Sequence, residues 1–352
     1  VGQEIREDID LDRLVDVALE RAEWSSKREA FARHNATTTG PIRKGIGLAV
    51  FFHGAGFTGA GEVHLASVAH VEATAEGRVR VLAASTEIGQ GTNTIFAQIV
   101  ADALAIAPER VDVAQPDTAS VPNSGPTVAS RTCMVVGNLL REAAGRIRGQ
   151  LRDAGLLGER HDDVEFTRAC AAFIARHGAL RGEARYQPPK GIAWDEQNFR
   201  GDAYAAYAWA CYVASVSVDM RTAEVIVDDF VAVQEVGRVV NPVLAAGQIE
   251  GGVAQAIGWA LYEQVVWREG RVANPQMTNY IIPTSADTPR IRVEFLPPFA
   301  GAAAPSKGIG ELPMDGPAPA ILAAVEQATG TAPTAIPMLP EALFELVHGG
   351  RT

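Results

Sequence analysis

The chain has little with which to bind metals or carry electrons through its own side chains. It holds three cysteines in 352 residues, Cys133, Cys170 and Cys211, and they lie far apart. None is paired at the spacing of a zinc site, an iron-sulfur cluster or a redox dithiol, so each is expected to be a buried free thiol. An odd count, with no secretory leader among the first residues, leads us to expect a reducing cytoplasm. Long apolar runs are missing too, since none reaches the roughly 20 residues of a membrane span. Positive charge is scarce: 31 Lys and Arg against 42 Asp and Glu leave a net charge of -11. That argues against a nucleic-acid partner, because phosphate binding needs a local excess of cations. A small-molecule substrate is the expectation that remains. The seven histidines show no ligand spacing; His53, His64 and His70 fall in or near expected strands and read as structural or exposed. No serine elbow or Cys/His pair points to nucleophilic hydrolysis, and no period of 20 to 50 residues points to a solenoid or propeller. Low complexity is confined to the short alanine-rich run 300–304.

What is present is a long, well-patterned chain. At 352 residues it exceeds the size at which single cores stop growing, so two or more lobes are expected. Residues 10–33 place Leu11, Leu14, Val15, Ala18, Leu19, Ala22 and Phe31 mostly at helical spacing, with Asp10 as the cap and a break over 35–41. The apolar stretch 45–52 follows. Segments 62–73 and 78–84 read as a hairpin turning at Ala75-Glu76-Gly77. A glycine turn then opens a helix over 92–106, followed by a short strand at 111–114, a polar loop over 117–126 and a helix over 127–150. The mixed-charge segment 151–201 marks the lobe boundary. Strands at 208–220 and 224–234, a helix over 241–263, a strand at 290–296 and helices at 318–329 and 340–347 complete the chain. Hairpins feeding helices make this α+β rather than a doubly wound sheet. The expected partition is a helical leader and linker at 1–40, a first lobe at 41–200 and a second lobe at 201–352.

Four stretches mount reactive or polar groups on irregular backbone. In Lys307-Gly308-Ile309-Gly310-Glu311-Leu312-Pro313 one carboxylate follows a turn with two glycines and precedes a proline. Alone, Glu311 reads more simply as a surface glutamate favoured by a helix dipole. Gly89-Gln90-Gly91 is able to present N-H groups and an amide to an anion or heterocycle, or is an ordinary glycine turn. Thr127-Val128-Ala129-Ser130-Arg131 combines small residues, helix N-terminal amides, a hydroxyl and a guanidinium, a set able to hold phosphate; simple capping by Thr127 or Ser130 is the alternative. In the helix 241–263, Gly251 and Gly252 each cost about 1 kcal/mol against alanine, which points to close packing or a ligand. Nearby Gln255 sits among apolar residues and needs a partner for its amide.

Taken in order, these segments resemble the molybdenum hydroxylases, the family of xanthine dehydrogenase and aldehyde oxidoreductase, over about residues 45–328. The resemblance rests on four motifs in the family's order: Glu87-Ile88-Gly89-Gln90-Gly91; Val121-Pro122-Asn123-Ser124-Gly125-Pro126-Thr127-Val128-Ala129-Ser130; Val236-Gly237-Arg238-Val239-Val240-Asn241-Pro242 with the stretch from Gly247 to Gln255; and the stretch from Lys307 to Pro313. It implies two mixed α/β lobes like the second molybdopterin-binding domain of xanthine dehydrogenase. It also implies molybdopterin carrying molybdenum, as the cytosine dinucleotide. Gly89, Gln90, Gly91, Thr127, Val128, Ala129, Ser130, Arg131, Gln255 and Gly308 would hold it, with no side chain on the metal itself.

Glu311 matches the family's catalytic glutamate. In the family's chemistry it takes a proton from the attacking oxygen as that oxygen adds to an electron-poor carbon. A base of this kind works best with a pKa near the working pH, and burial beside a cofactor moves a carboxylate that way. The family's molybdenum subunits also carry another half, with a glycine-phenylalanine-glycine loop and an arginine-containing loop, which this sequence does not contain. We therefore expect a split subunit, as in nicotinate dehydrogenase, with the other half on a separate chain. The resemblance further implies an iron-sulfur subunit with [2Fe-2S] clusters and an FAD subunit. The expected activity is hydroxylation of an N-heterocycle, purine- or nicotinate-like. Aldehyde oxidation is the nearest rival, since Leu312-Pro313-Met314 differs from the endings of both kinds of enzyme. A non-catalytic assembly subunit is the third reading, and Glu311, Gln90 and Gln255 together speak against it.

Overall fold

The amphipathic start folds as two helices rather than one. α1 (Leu11–Arg21) is capped by Asp10, whose carboxylate accepts from the Arg13 N-H at 3.0 Å. At Glu23 the backbone turns left-handed, φ 54°, and α2 (Trp24–Thr37) begins after it. Apolar spacing carries through such a break, so the pattern alone reads as continuous. The computed structural model describes residues 1–6, 9–299 and 306–349, and the alanine-rich run 300–304 lies outside them.

β1 (Ile42–Gly54) leads to a single short turn, α3 (Gly61–Leu65), and then to the expected hairpin of β2 (Val68–Ala73) and β3 (Val79–Leu82), with Ala73 opposite Val79. α4 (Thr92–Leu104) and β4 (Val111–Val113) follow. A π-helical turn over Thr132–Val136 runs into α5 (Gly137–Asp153). The mixed-charge segment after it is more ordered than its composition indicates. Asp162 and Glu165 form a capping box that starts α6 (Asp163–His177), and β5 (Leu180–Arg185) alternates buried and exposed residues. β5 joins β2 at the edge of a four-stranded sheet ordered β4-β3-β2-β5, on which α4, α5 and α6 close one core around Phe96, Leu140, Ile147 and Phe166.

After the two-residue strands β6 (Trp194–Asp195) and β7 (Arg200–Gly201), the long hairpin of β8 (Tyr207–Asp219) and β9 (Glu224–Glu235) builds the second sheet. α7 (Pro242–Leu261) starts at Asn241, whose side-chain oxygen accepts from the Leu244 N-H at 3.1 Å. A minor ladder of β10 (Trp267–Arg268) and β11 (Arg271–Val272) precedes β12 (Ile291–Phe295), which pairs in parallel with β9. α8 (Leu312–Asp315), α9 (Pro317–Thr329) and α10 (Pro340–His348) finish the described chain. α7 and α9 cover one face of this sheet through Ile249, Ile257, Ile321 and Val325, and α1 covers the other through Leu14 and Ala18. No helix among the described residues is long and apolar enough to cross a membrane.

The expected partition at residue 41 needs one correction. β1 pairs antiparallel with β8 along its whole length, from Ile42 opposite Asp219 to Gly54 opposite Tyr207. The second sheet is thus ordered β1-β8-β9-β12, and residues 42–54 belong with the second lobe although they precede the first. Backbone hydrogen bonds along thirteen residues outweigh nearness in sequence. The consequence for the site is direct, since the end of β1 delivers His53 to the neighbourhood of Glu311.

Candidate active site

Glu311 sits at the junction of the two lobes, and the segment that carries it is fixed at several points. The Lys307 N-H donates to the Val236 carbonyl at 2.8 Å, and its ammonium donates to Glu235 Oε2 at 2.6 Å in a fully buried pair. The next residue lies so close to the opposite loop that a Cβ on Gly308 would stand 1.9 Å from the Ser130 carbonyl oxygen. Only glycine permits that approach. Ser130 then meets Glu311 twice: its hydroxyl donates to Glu311 Oε2 at 2.7 Å and accepts from the Glu311 N-H at 3.0 Å. From behind, Gly252 of α7 lies against Pro313, where a Cβ would come within 2.3 Å. Close packing therefore accounts for one of the two costly glycines in α7. The burial expected for Glu311 is absent in this chain, where its side chain is 54% exposed because the cleft is open on one side.

The loop facing Glu311 departs from the expected helix start. Ala129 and Ser130 both adopt left-handed backbone, φ 55° and 51°, so the helix expected from Thr127 begins only at Thr132. Two successive non-glycine residues there cost on the order of 1–2 kcal/mol each, strain of the kind found at functional loops. Among the described residues the N-H groups of Val128, Ala129 and Ser130 donate to no protein acceptor. Successive N-H groups on such a turn form a cradle for an anion. Arg131 is a correction. Its guanidinium is fully buried and spends all five donors inside the protein, two on Glu62 at 2.8 Å each and the others on Ser67, Ser124 and Pro126. It braces the loop from beneath and has no donor left for phosphate.

The Gly89-Gln90-Gly91 turn is likewise occupied with itself. Glu87 accepts from the N-H groups of Gly89, Gly91 and Asn93 at 2.8, 3.1 and 2.9 Å. Partial burial works against its charge, and these donors outweigh that, holding its carboxyl below the ordinary value. Gln90 accepts from the Ile88 N-H and donates to the Thr86 carbonyl and the Thr92 hydroxyl. Its amide shapes the wall instead of projecting free donors, and the N-H groups of Gly89 and Gly91 are taken by Glu87. Thr127 ties the two loops by accepting from the Thr86 N-H at 2.8 Å.

Together these loops and α7 enclose a cleft of about 460 Å³. Of the expected residues, Gln90, Thr127, Val128, Ala129, Ser130, Gly308 and Glu311 line it. Gly89 and Gly91 shape the turn beside it without lining it. Gln255 does not line it either; it is exposed on α7 two turns beyond Gln248, which does. Residues that sequence reasoning did not single out complete the walls: Arg238, Asn241, Leu244, Ala245, Gln248 and Cys133. Arg238, Asn241 and Gln248 lie in the motifs at 236–242 and 247–255, the signal by which they were open to discovery. Arg238 brings a cation to the cleft, 3.2 Å from Asp102. Burial pushes the Cys133 thiol up to about 11, so it is a neutral wall residue. His53, read from the sequence as structural or exposed, also reaches the site. Its Nε2 lies 3.3 Å from Glu311 Oε2 and its Nδ1 2.8 Å from Asp315 Oδ2, and the Asp315 hydrogen bond raises its pKa above the ordinary histidine value against the opposing effect of burial.

These features fit a flat heterocycle with an anionic tail. The N-H cradle over 128–130 and Arg238 suit negative oxygens, Gln248 and Asn241 suit a polar ring edge, and Ile95, Val239 and Leu244 suit a ring face. Among the described residues no three or more His, Cys, Asp or Glu side chains converge to hold a metal.

Comparison with known proteins agrees with this class of site. Residues 17–289 match the family model described as the molybdopterin cofactor-binding domain. The chain belongs to this molybdopterin-binding family, that of the molybdenum hydroxylases. The xanthine dehydrogenase molybdenum-binding subunit of Escherichia coli O157:H7 is 29% identical over 339 residues, which cover 93% of this chain and 44% of that protein. Subunit gamma of the 6-hydroxypseudooxynicotine dehydrogenase complex of Paenarthrobacter nicotinovorans is 28% identical, over 94% of this chain and 43% of its own. The crystal structure of quinoline 2-oxidoreductase from Pseudomonas putida 86 superposes with a TM-score of 0.81 at 25% identity, covering 95% of this chain and 45% of that one. The chain thus spans less than half the length of these relatives.

Proposed function

We propose that this chain is the molybdopterin-binding part of a multi-subunit molybdenum hydroxylase that introduces a water-derived oxygen into an N-heterocyclic aromatic. The observation that carries the reading is the placement of a lone carboxylate, Glu311, held by Ser130 at the open edge of a cleft with an anion cradle. The relatives named for xanthine and quinoline support a nitrogen heterocycle as substrate. The cofactor, when bound, supplies the two-electron redox chemistry of hydroxylation. The chain's own residues then have separable tasks. Backbone N-H groups of Val128, Ala129 and Ser130, with Arg238, hold phosphate oxygens; we favour the cytosine dinucleotide form. Gln248 and Asn241 orient the ring. Glu311 takes a proton at Oε2 from the attacking oxygen, and Ser130 Oγ-H fixes which carboxylate oxygen faces inward.

The open side of the cleft is closed by the other half of the molybdenum subunit in this proposal. Iron-sulfur and FAD subunits belong to it as well, because three cysteines cannot supply the four thiolates of a [2Fe-2S] cluster. In the assembled enzyme, Glu311→Gln keeps the hydrogen bond from Ser130 and the volume of the side chain but cannot accept a proton. Molybdenum and pterin content are expected to stay at wild-type levels while kcat falls roughly 10²–10⁴-fold. Near-normal turnover in that variant would take Glu311 out of the chemistry.

A further inference from the structure

His53 stands between two carboxylates that flank the short helix α8, and it comes from a different part of the chain. It lies near the end of β1, with Nδ1 2.8 Å from Asp315 Oδ2 and Nε2 3.3 Å from Glu311 Oε2. Asp315 follows Glu311 by four residues, the spacing at which side chains share one helical face. The other groups against this cluster are neutral: the Ser130 hydroxyl on Glu311, and the Tyr212 phenol, pushed up first by burial and then by the Asp315 charge. Among the described residues neither acid forms an ion pair with lysine or arginine.

This geometry fixes where protons lie. With the Nδ1-H donating to Asp315, the contact between Nε2 and Oε2 would set two lone pairs against each other unless one proton lies between them. That proton belongs either to the imidazolium or to the Glu311 carboxyl. The Ser130 hydroxyl donates to the same Oε2 and favours the carboxylate, hence the imidazolium.

We propose that His53 is a positioning residue that stores the proton Glu311 takes in each turnover and so returns the glutamate to its anionic form. At rest His53 is the imidazolium; once Glu311 has taken a proton, the ring gives its Nε2 proton to water, and the O-H bond at Glu311 Oε2 then breaks as the N-H bond at His53 Nε2 re-forms. Asp315 holds the Nδ1-H and stabilises the imidazolium, as a carboxylate steadies a catalytic histidine elsewhere. The ring is 22% exposed, which gives the released proton a path to water; each turnover ends with the carboxylate and imidazolium restored, and no electrons change hands. The proposal rests on the base role given to Glu311 above.

The first test needs no catalysis. In the full chain with ring-labelled histidine, the His53 resonance is assigned by its loss in His53→Gln and followed against pH. It should titrate above the ordinary histidine range and fall in both Asp315→Asn and Glu311→Gln. Titration at an ordinary value, unmoved by either substitution, sinks the store alone. In the assembled enzyme, His53→Ala should lower kcat about tenfold or more with little change in KM, and added imidazole should restore part of it. Wild-type kcat in that variant, or a loss that imidazole does not touch, also overturns the proposal. Normal turnover in Glu311→Gln would sink the base role and the store with it, so the two failures are told apart.

Discussion

Arg131 carries a full positive charge in a position with no exposure, and Glu62 answers it from a side chain only 7% exposed. Truncation to Arg131→Ala leaves the Glu62 charge buried without its cation, with only the Phe57 N-H donating to it, and leaves the carbonyls of Ser124 and Pro126 without their donor. The expected loss is about 3–5 kcal/mol in urea unfolding of the chain, as for other broken buried pairs. A phosphate ligand would behave differently, losing cofactor with little loss of fold. The sequence shows an arginine in a small-residue loop, which suits either role. What it does not show is Glu62, 69 residues upstream, and that contact decides the matter. His53 illustrates the same limit, since its partners lie 258 and 262 residues away and nothing in its own neighbourhood points to them. The turn that mounts Glu311 has a local signal, since the glycines before it and the proline after it meet Ser130 and α7. That signal alone reads as a surface glutamate, and only the motifs elsewhere in the chain single it out.

At the scale of elements, most of the pattern could be read directly. α4, α7 and the β8–β9 hairpin begin and end within a few residues of where apolar period and turn residues place them. Asn241 shows why. Its side chain caps α7 through the Leu244 N-H and also donates to the Gln98 side chain at 3.2 Å, which links α7 to α4. Asn241→Ala is expected to lower stability by about 0.5–2 kcal/mol, while Asn241→Asp keeps the cap and most of the stability; urea midpoints of the two variants check this. Where the reading went astray, a tertiary demand outweighed local preference. Residues 127–131 have the composition of a helix start, yet Ala129 and Ser130 turn left-handed to meet Gly308, and the Ala129 carbonyl accepts from the Gly56 N-H at 2.8 Å. α6 was overlooked amid its charges, although Asp162 and Glu165 spell a capping box. The pairing of β1 with β8 bridges more than 150 residues of intervening chain, and no local pattern encodes such a partner.

For the whole molecule, the cleft is where two separately built lobes touch. Gln90 and the loop 127–130 come from the first, while Arg238, Asn241, Gln248 and Glu311 come from the second. The paired hydrogen bonds between Ser130 and Glu311 bridge the lobes at the point of reaction, so their relative placement sets the direction of the carboxylate. At the rim, Ile88 is 79% exposed and Val128 52%, apolar side chains left in water beside a polar cleft. If the other half of the molybdenum subunit covers it, Glu311 passes from open solvent to an enclosed site. Water-soluble carbodiimide with an amine nucleophile reads that change at one residue. In this chain alone, Glu311 is expected to be labelled along with other exposed carboxylates, as located by peptide mass spectrometry. In the assembled enzyme Glu311 should be protected, whereas Asp117, in the loop before the site and outside the cleft, should label in both. Equal labelling of Glu311 in both states would mean that the carboxylate stays open to solvent and that the covering half, if present, lies elsewhere.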